Sequence, residues 1–281
     1  MTKFCVGTVI SFLFTFNILF AQTINDDVNF FDYTYDQKMV QSHKIESITI
    51  QISVHHRNEG FQKYYFDNKG HLVKQEILDT LMKLQSAFLF YTNKHNHLVM
   101  RKQMDQSLNI KDSIHFFKKY DGNKLIMDSS GQVPTCSYFK YDQNNNLVAC
   151  STYVGSINRT LKVVNYVPDS MGRPVKITEF VYNYGDTKGQ LVSDKDIVYN
   201  SSGNKEKEVE KCETENLIPL NKGNIEYLYN PKGQLIKKQT KFSTENFKYN
   251  TNGLISEKLM YIKMDENIIE FSDQYQYQYR K

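Results

Sequence analysis

Three stretches of this chain share one spacing rule: "YLYNPKGQLIKKQ" at 227–239, "YYFDNKGHLVKQ" at 64–75 and "FKYDQNNNLVAC" at 139–150. Each runs aromatic, Asp or Asn, two loosely chosen residues, Gly or Asn, one polar residue, then an aliphatic. In "NPKGQ", Asn230 accepts local hydrogen bonds, Pro231 fixes φ at the first turn corner, and Gly233 can take the left-handed conformation that a Cβ resists. This is the chemistry of a three-residue hairpin loop, a type I turn followed by a glycine bulge. It sets Tyr229 opposite Leu235, an aromatic–aliphatic pair beside the turn.

The same spacing sets Phe66 against Leu72, Tyr141 against Leu147 (with Asn145 in place of Gly) and Tyr249 against Ile255. It also pairs Tyr120 with Ile126, and Tyr199 with Lys205, where the aliphatic is lost. Looser copies at 91–99, 166–175 and 182–192 are read as having longer turns. The clearer copies recur at about 20–30 residues, enough for two strands, a tight turn and an outer loop. Between turns the pattern alternates with period two. "GNIEYLY" puts Ile225, Tyr227 and Tyr229 on one face. "NIIEFSDQYQYQY" puts Ile269, Phe271, Tyr275, Tyr277 and Tyr279 on one face and glutamines on the other. No segment after residue 22 carries a helical stripe. The expected fold is all-β: serial antiparallel hairpins forming a curled meander, an open roll or a barrel-like sheet.

The repeat resembles the YD repeat of Rhs-type proteins, on "FDNKGHL", "YDQNNNL" and "YNPKGQL", with "SMGRPV" keeping a Gly-Arg step. The resemblance covers most of residues 60–281. Related repeats occur in small exported proteins of Bacteroidetes-like bacteria, and "FAQ" at 20–22 is similar to their signal junctions. The chain lacks the length and toxin-like domain of large Rhs proteins. From the resemblance comes one functional expectation, carbohydrate binding.

Residues 1–21 read as a secretory signal: Lys3, a short apolar run and the small residue Ala21 before "QTINDD". Residues 22–44 form a lead-in that supplies a first strand or cap, and 45–281 the repeat domain. Export to the periplasm, the outer-membrane surface or the exterior follows, with no transmembrane helix in the mature chain. Losing Lys3 takes the formal charge from +4 to about +3, which gives no basis for nucleic-acid binding, even with Lys232, Lys237, Lys238 and Lys241 clustered.

No metal site, cofactor or catalytic set is expected. His95 and His97 lie in a loose turn without a third ligand, and His55 and His56 are read as strand neighbours on opposite faces. Cys136, Cys150 and Cys212 survive export and cannot all pair within one chain. If Tyr141 faces Leu147, residues summing to 288 face each other. Cys136 and Cys150 then share a face diagonally, which leaves a disulfide open.

Asp67 and Asp142 have turn-starting work, and Glu179 and Glu226 sit on inward and outward positions, respectively. The expected role is binding or scaffolding at the cell envelope, with a glycan, peptide or envelope protein as partner. Tyr275, Tyr277 and Tyr279 are the candidate ligand-binding residues, on a final strand placed at a sheet edge. Two alternatives stand beside it. One is an envelope polysaccharide hydrolase using a carboxylate pair. The other is an outer-membrane β-barrel, to which strands such as "QLIKKQTKF" offer no clean lipid face because Leu235 would share its side with Lys237 and Lys241.

Overall fold

The computed structural model describes residues 37–93, 98–122, 124–130, 135–154, 160–211, 224–264 and 267–280. A single helical turn and a half, α1 (Gln37–Ser42), precedes the strands. These run β1 (Ile45–Val54), β2 (Arg57–Phe66), β3 (Leu72–Leu78), β4 (Leu84–Thr92), β5 (Leu98–Asp105) and β6 (Ile110–Asp121). They continue with β7 (Lys124–Ser130), β8 (Thr135–Tyr141), β9 (Leu147–Val154), β10 (Thr160–Pro168), β11 (Pro174–Tyr182) and β12 (Gln190–Tyr199). The last third holds β13 (Lys205–Glu210), β14 (Ile225–Tyr229), β15 (Leu235–Gln239), β16 (Ser243–Tyr249), β17 (Ile255–Met264) and β18 (Asn267–Tyr279).

Every strand pairs antiparallel with its sequence neighbours, and β18 pairs back onto β1. Among the described residues, 18 strands therefore close into an antiparallel meander barrel with no free edge. Closure removes the row of unpaired amides that an open roll would expose. It also corrects the sequence reading of β18: Tyr275, Tyr277 and Tyr279 lie between two paired strands, opposite Ile50, Ile48 and Ile45.

The repeated turns explain why the strands form where they do. At Asp67 the side-chain Oδ1 accepts the amides of Lys69 (2.8 Å) and His71 (2.9 Å). The backbone closes with Asp67 N–H donating to His71 O and Gly70 N–H donating to Asp67 O. The same bonds recur at Asp142, Asp169, Asn200, Asn230 and Asn250, all on one rim of the barrel. The fourth loop residue has positive φ each time, Asn145 included at 68°. An acceptor at the first position and tolerance of positive φ at the fourth are thus the physical content of the sequence rule.

Three details differ from the sequence reading. The loop at Asp169 is the standard length, and Pro168 rather than Tyr166 stands beside it, opposite Pro174. Around Gly122 the turn is shorter, so Tyr120 faces Leu125 instead of Ile126. Residues 182–192 join β11 to β12 at the opposite rim, outside the repeat grammar. At that rim Asp79 and Asp105 build the same five-residue loop with Met82 and Leu108 at φ 63°.

One face of the closed sheet is buried. Ile48, Ile50, Tyr64, Phe66, Phe247, Ile255 and Tyr275 form its core, with Val40 of α1 packed among them. The lead-in thus contributes a helical cap at the tip rim, tied by Gln37 Nε2 donating to Lys69 O at 3.1 Å. Arg280 fastens the seam from the other chain end: its amide donates to Lys44 O, and its guanidinium donates to the carbonyls of Phe66 and Asp67.

Candidate functional site on the inward face

Each of the repeated tip loops carries a bulge, such as the register shift between Lys140 and Tyr141. One extra residue flips every later side chain to the other face. Beyond it Cys136 faces Tyr153 and Cys150 faces Phe139, so the sum is 289 and the two thiols point to opposite faces. Both are free, Cys150 buried and Cys136 partly exposed; Cys212 lies outside the described residues. The same shift between Leu228 and Tyr229 sends Lys237 outward and Lys238 inward.

That inversion creates the main polar feature of the inner wall. Register places Glu179, Lys195, Glu208, Tyr227, Lys238 and Glu245 on successive strands, all inward, from β11 to β16. Most are bonded to one another. Lys162 reaches Glu179 at 2.9 Å, Lys205 reaches Glu208 at 2.8 Å, and the Tyr227 hydroxyl donates to Glu208 at 2.9 Å. Glu245 holds two ammonium groups, Lys258 at 2.8 Å and Lys238 at 3.2 Å. Burial pushes the Glu245 carboxyl up, but those two lysines more than offset it and leave it below the ordinary range.

Asp273 differs. It sits on β18 directly across from Lys258 and Ile52, enclosed by neighbours yet with some surface open. Among the described residues its carboxylate has no hydrogen bond or ion pair. Burial pushes it up to about 6, with Lys258 opposing and Glu245 adding to the shift. Beyond it Gln75 Nε2 donates to the Tyr64 hydroxyl at 3.1 Å, and Tyr64 donates to Gln62.

The three sequence-chosen tyrosines divide by depth. Tyr275 is buried, with 9% of its surface exposed; Tyr277 is half-buried and donates to Ile255 O at 2.7 Å. Tyr279 is exposed at the tip rim and stacks on Tyr277 at a centroid distance of 6.5 Å. Sequence reading missed Asp273 and the charged belt. Lysines and glutamates alternate there at inward positions, but only the bulges reveal which positions are inward.

The remaining candidates have structural surroundings. His55 and His56, expected on a strand, form the tight turn between β1 and β2, both at positive φ. His95 and His97 lie outside the described residues. Asp67 and Asp142 open turns, Glu179 pairs inward with Lys162, and Glu226 pairs outward with Lys207. No cluster of three or more metal-ligating side chains occurs among the described residues.

The outer wall has two halves. From β12 through β18 to β3 the outward positions include Asp194, Lys207, Glu226, Lys248, Glu257, Gln276 and Lys63, roughly alternating in sign. From β6 to β11 one continuous row reads Lys119, Met127, Tyr138, Ser151, Val163 and Phe180. Its neighbour reads Phe117, Ser129, Cys136, Tyr153, Leu161 and Tyr182.

Comparison with known proteins finds no matching family model and no matching curated protein. Among solved structures, the chain is similar to a porin-like protein from Bacteroides uniformis, with TM-score 0.44 and 6% identity. That superposition covers 83% of this chain and 98% of that one. It is also similar to part of the Tc holotoxin pore of Photorhabdus luminescens, with TM-score 0.30 and 11% identity. There it covers 74% of this chain but only 14% of the toxin chain.

Proposed function

We propose that this protein is an exported β-barrel that stands in water at the cell envelope and binds a ligand, glycan or peptide, along its inner wall and tip rim. The observation that carries this reading is the division of polar chemistry between the two faces. Charged side chains occupy the outward positions of β12–β18 and β1–β3, where Asp194, Lys63 and Glu76 stand at or near mid-strand and Lys207, Lys248 and Glu257 lie closer to the tip rim. A lipid-facing lysine near mid-bilayer would cost about 2–4 kcal/mol, and several such positions around half the circumference argue against a full membrane belt. The inner wall instead combines aromatic rings, hydroxyls and charges, as a binding surface requires. No catalytic residue set is assigned. The YD-type repeat stays part of this proposal as the origin of the hairpin series.

A second reading, an outer-membrane barrel, is favoured by the closed meander itself, by a charged inner wall, and by the nearly uncharged outward rows of β6–β11. Fractionation of envelopes from expressing cells separates the two. Release by osmotic shock or carbonate wash supports the water-exposed barrel. Retention until detergent is added, with heat-modifiable migration on gels, would replace it by the membrane reading. For the water-exposed form, a panel of glycans and tryptic peptides should yield a ligand. No binding across both panels would leave scaffolding.

A further inference from the structure

Within the inner wall, we infer that Asp273 is the anchor of a site for a cationic group, the guanidinium or ammonium of a basic peptide side chain or small amine. This rests on the binding reading above and gives it a chemical class.

The neighbouring cations are already engaged. Lys258 lies directly across from Asp273, but its ammonium is 2.8 Å from Glu245; Lys238 is held by the same glutamate at 3.2 Å. Lys195 and Lys205 belong to Glu208 two to three strands further on. Asp273 is therefore the carboxylate of this belt without a bonded cation among the described residues. Leaving a charge enclosed and unpaired is costly, whereas a cation arriving in the site recovers that cost. The raised affinity of Asp273 for protons has the same origin: the carboxylate lacks a compensating partner.

The surroundings suit an organic cation. Phe271 and Tyr275 stand at two residues to either side of Asp273 on the same strand face. Aromatic rings beside a carboxylate attract guanidinium and ammonium groups through their negative faces. The Tyr275 hydroxyl has no hydrogen-bond partner among the described residues and adds an acceptor.

The test titrates the mature full-length protein with N-acetyl-arginine amide, putrescine and N-acetyl-citrulline amide, followed by calorimetry. Saturable binding of a charged probe, with the uncharged citrulline analogue at least tenfold weaker, is expected. The arginine probe alone binding would identify a peptide side chain; putrescine alone, a small amine. Asp273→Asn keeps the shape and should lose at least tenfold in affinity, while Glu226→Gln, on the outer wall, should change it less than twofold. Equal binding of the citrulline analogue, or full affinity in a folded Asp273→Asn protein, overturns the site. Silence with both charged probes also overturns it. If the glycan or peptide panel still binds in that case, only this inference falls; silence in both removes the binding reading as well.

Discussion

The phenolic hydroxyl of Tyr249, at the end of β16, donates at 2.7 Å to the carbonyl of Leu235, which opens β15. The same bond joins Tyr141 to Leu125, Tyr199 to Pro174 and Tyr277 to Ile255, at 3.0, 2.9 and 2.7 Å. In the first three the tyrosine before one tip reaches the first residues after the previous tip; Tyr277, near the end of β18, reaches back in the same way to the strand that follows the Asn250 tip. The repeat's preference for Tyr over Phe thus has a cause: the ring packs within its own hairpin, and the hydroxyl fastens that hairpin to the one before it. Tyr249→Phe should cost about 0.5–1.5 kcal/mol, the net worth of such a bond. Tyr229 has no hydroxyl partner among the described residues, so Tyr229→Phe should be close to neutral. Equal losses in urea melts would remove the stitching role.

Loop conformation gives a second prediction. Gly233 has φ 77°, and a Cβ there would meet nothing closer than 3.8 Å. Gly233→Val therefore suffers from conformation alone, at about 1–2 kcal/mol. Ser202→Val, one step before the glycine of its own loop, should cost less. The converse holds at the other rim, where Met82 and Leu108 take φ 63° with exposed side chains. Met82→Gly and Leu108→Gly should each leave stability unchanged or raise it by up to about 1 kcal/mol. Denaturant midpoints of the four variants decide it.

Asp273 gives a pH dependence with a definite sign. Its folded value, about 6, lies above the ordinary 3.8, so the native state binds the extra proton between those limits. Stability contributed by this group is present below about pH 4 and falls as pH rises to about 6, with a penalty on the order of 1–3 kcal/mol above that. The charged groups around it are Lys258 and Glu245, with Tyr64 and Tyr275 neutral throughout this range. Asp273→Asn should raise the melting temperature at pH 7.5 and leave it nearly unchanged at pH 4. A variant less stable than wild type at pH 7.5 would contradict the assignment.

Thiol chemistry separates the two faces. Cys136 points outward and is partly exposed, whereas Cys150 is buried and burial raises its thiol above the ordinary value. In the Cys212→Ser protein, a thiol-reactive dye should modify Cys136 quickly and Cys150 only on unfolding. Denatured without reductant, that protein should show two free thiols; a count of zero would mean a bond between them.

Export is tested by the mature N-terminus. Mass spectrometry of protein recovered from the envelope should begin at Gln22 or its cyclised form, and an intact Met1 would defeat the signal reading.

The turns were legible because they are chemically marked. Asp67, Asn230 and Asn250 announce themselves by an acceptor followed at the fourth position by glycine, and Phe66–Leu72, Tyr229–Leu235 and Tyr249–Ile255 pair as their spacing requires. The loops at Asp79 and Asp105 were not legible, because Met82 and Leu108 hold the strained position without a glycine to mark it. The faces were the harder problem. A bulge costs one residue of register, so a rule counted from the turn assigns Cys150 and Lys237 to the wrong side. The inward charged belt was hidden by the same displacement. Closure could not be read at all, because it depends on how β1 meets β18, two segments with no shared local pattern.

That pairing sets the order of events in folding. The seam joins β1 to β18, the first and last strands among the described residues, so the barrel cannot finish until β18 is available. A chain entering the envelope amino end first would carry β1 as an unzipped edge throughout its passage, and each new hairpin would merely move the second edge along. Such a contact has the greatest sequence separation the fold contains, which slows the final step and lengthens exposure to intermolecular strand pairing. Arg280, anchoring the end of β18 onto Phe66 and Asp67, acts at that last moment. Its loss should be felt less in the finished barrel than in the fraction of chains that reach it.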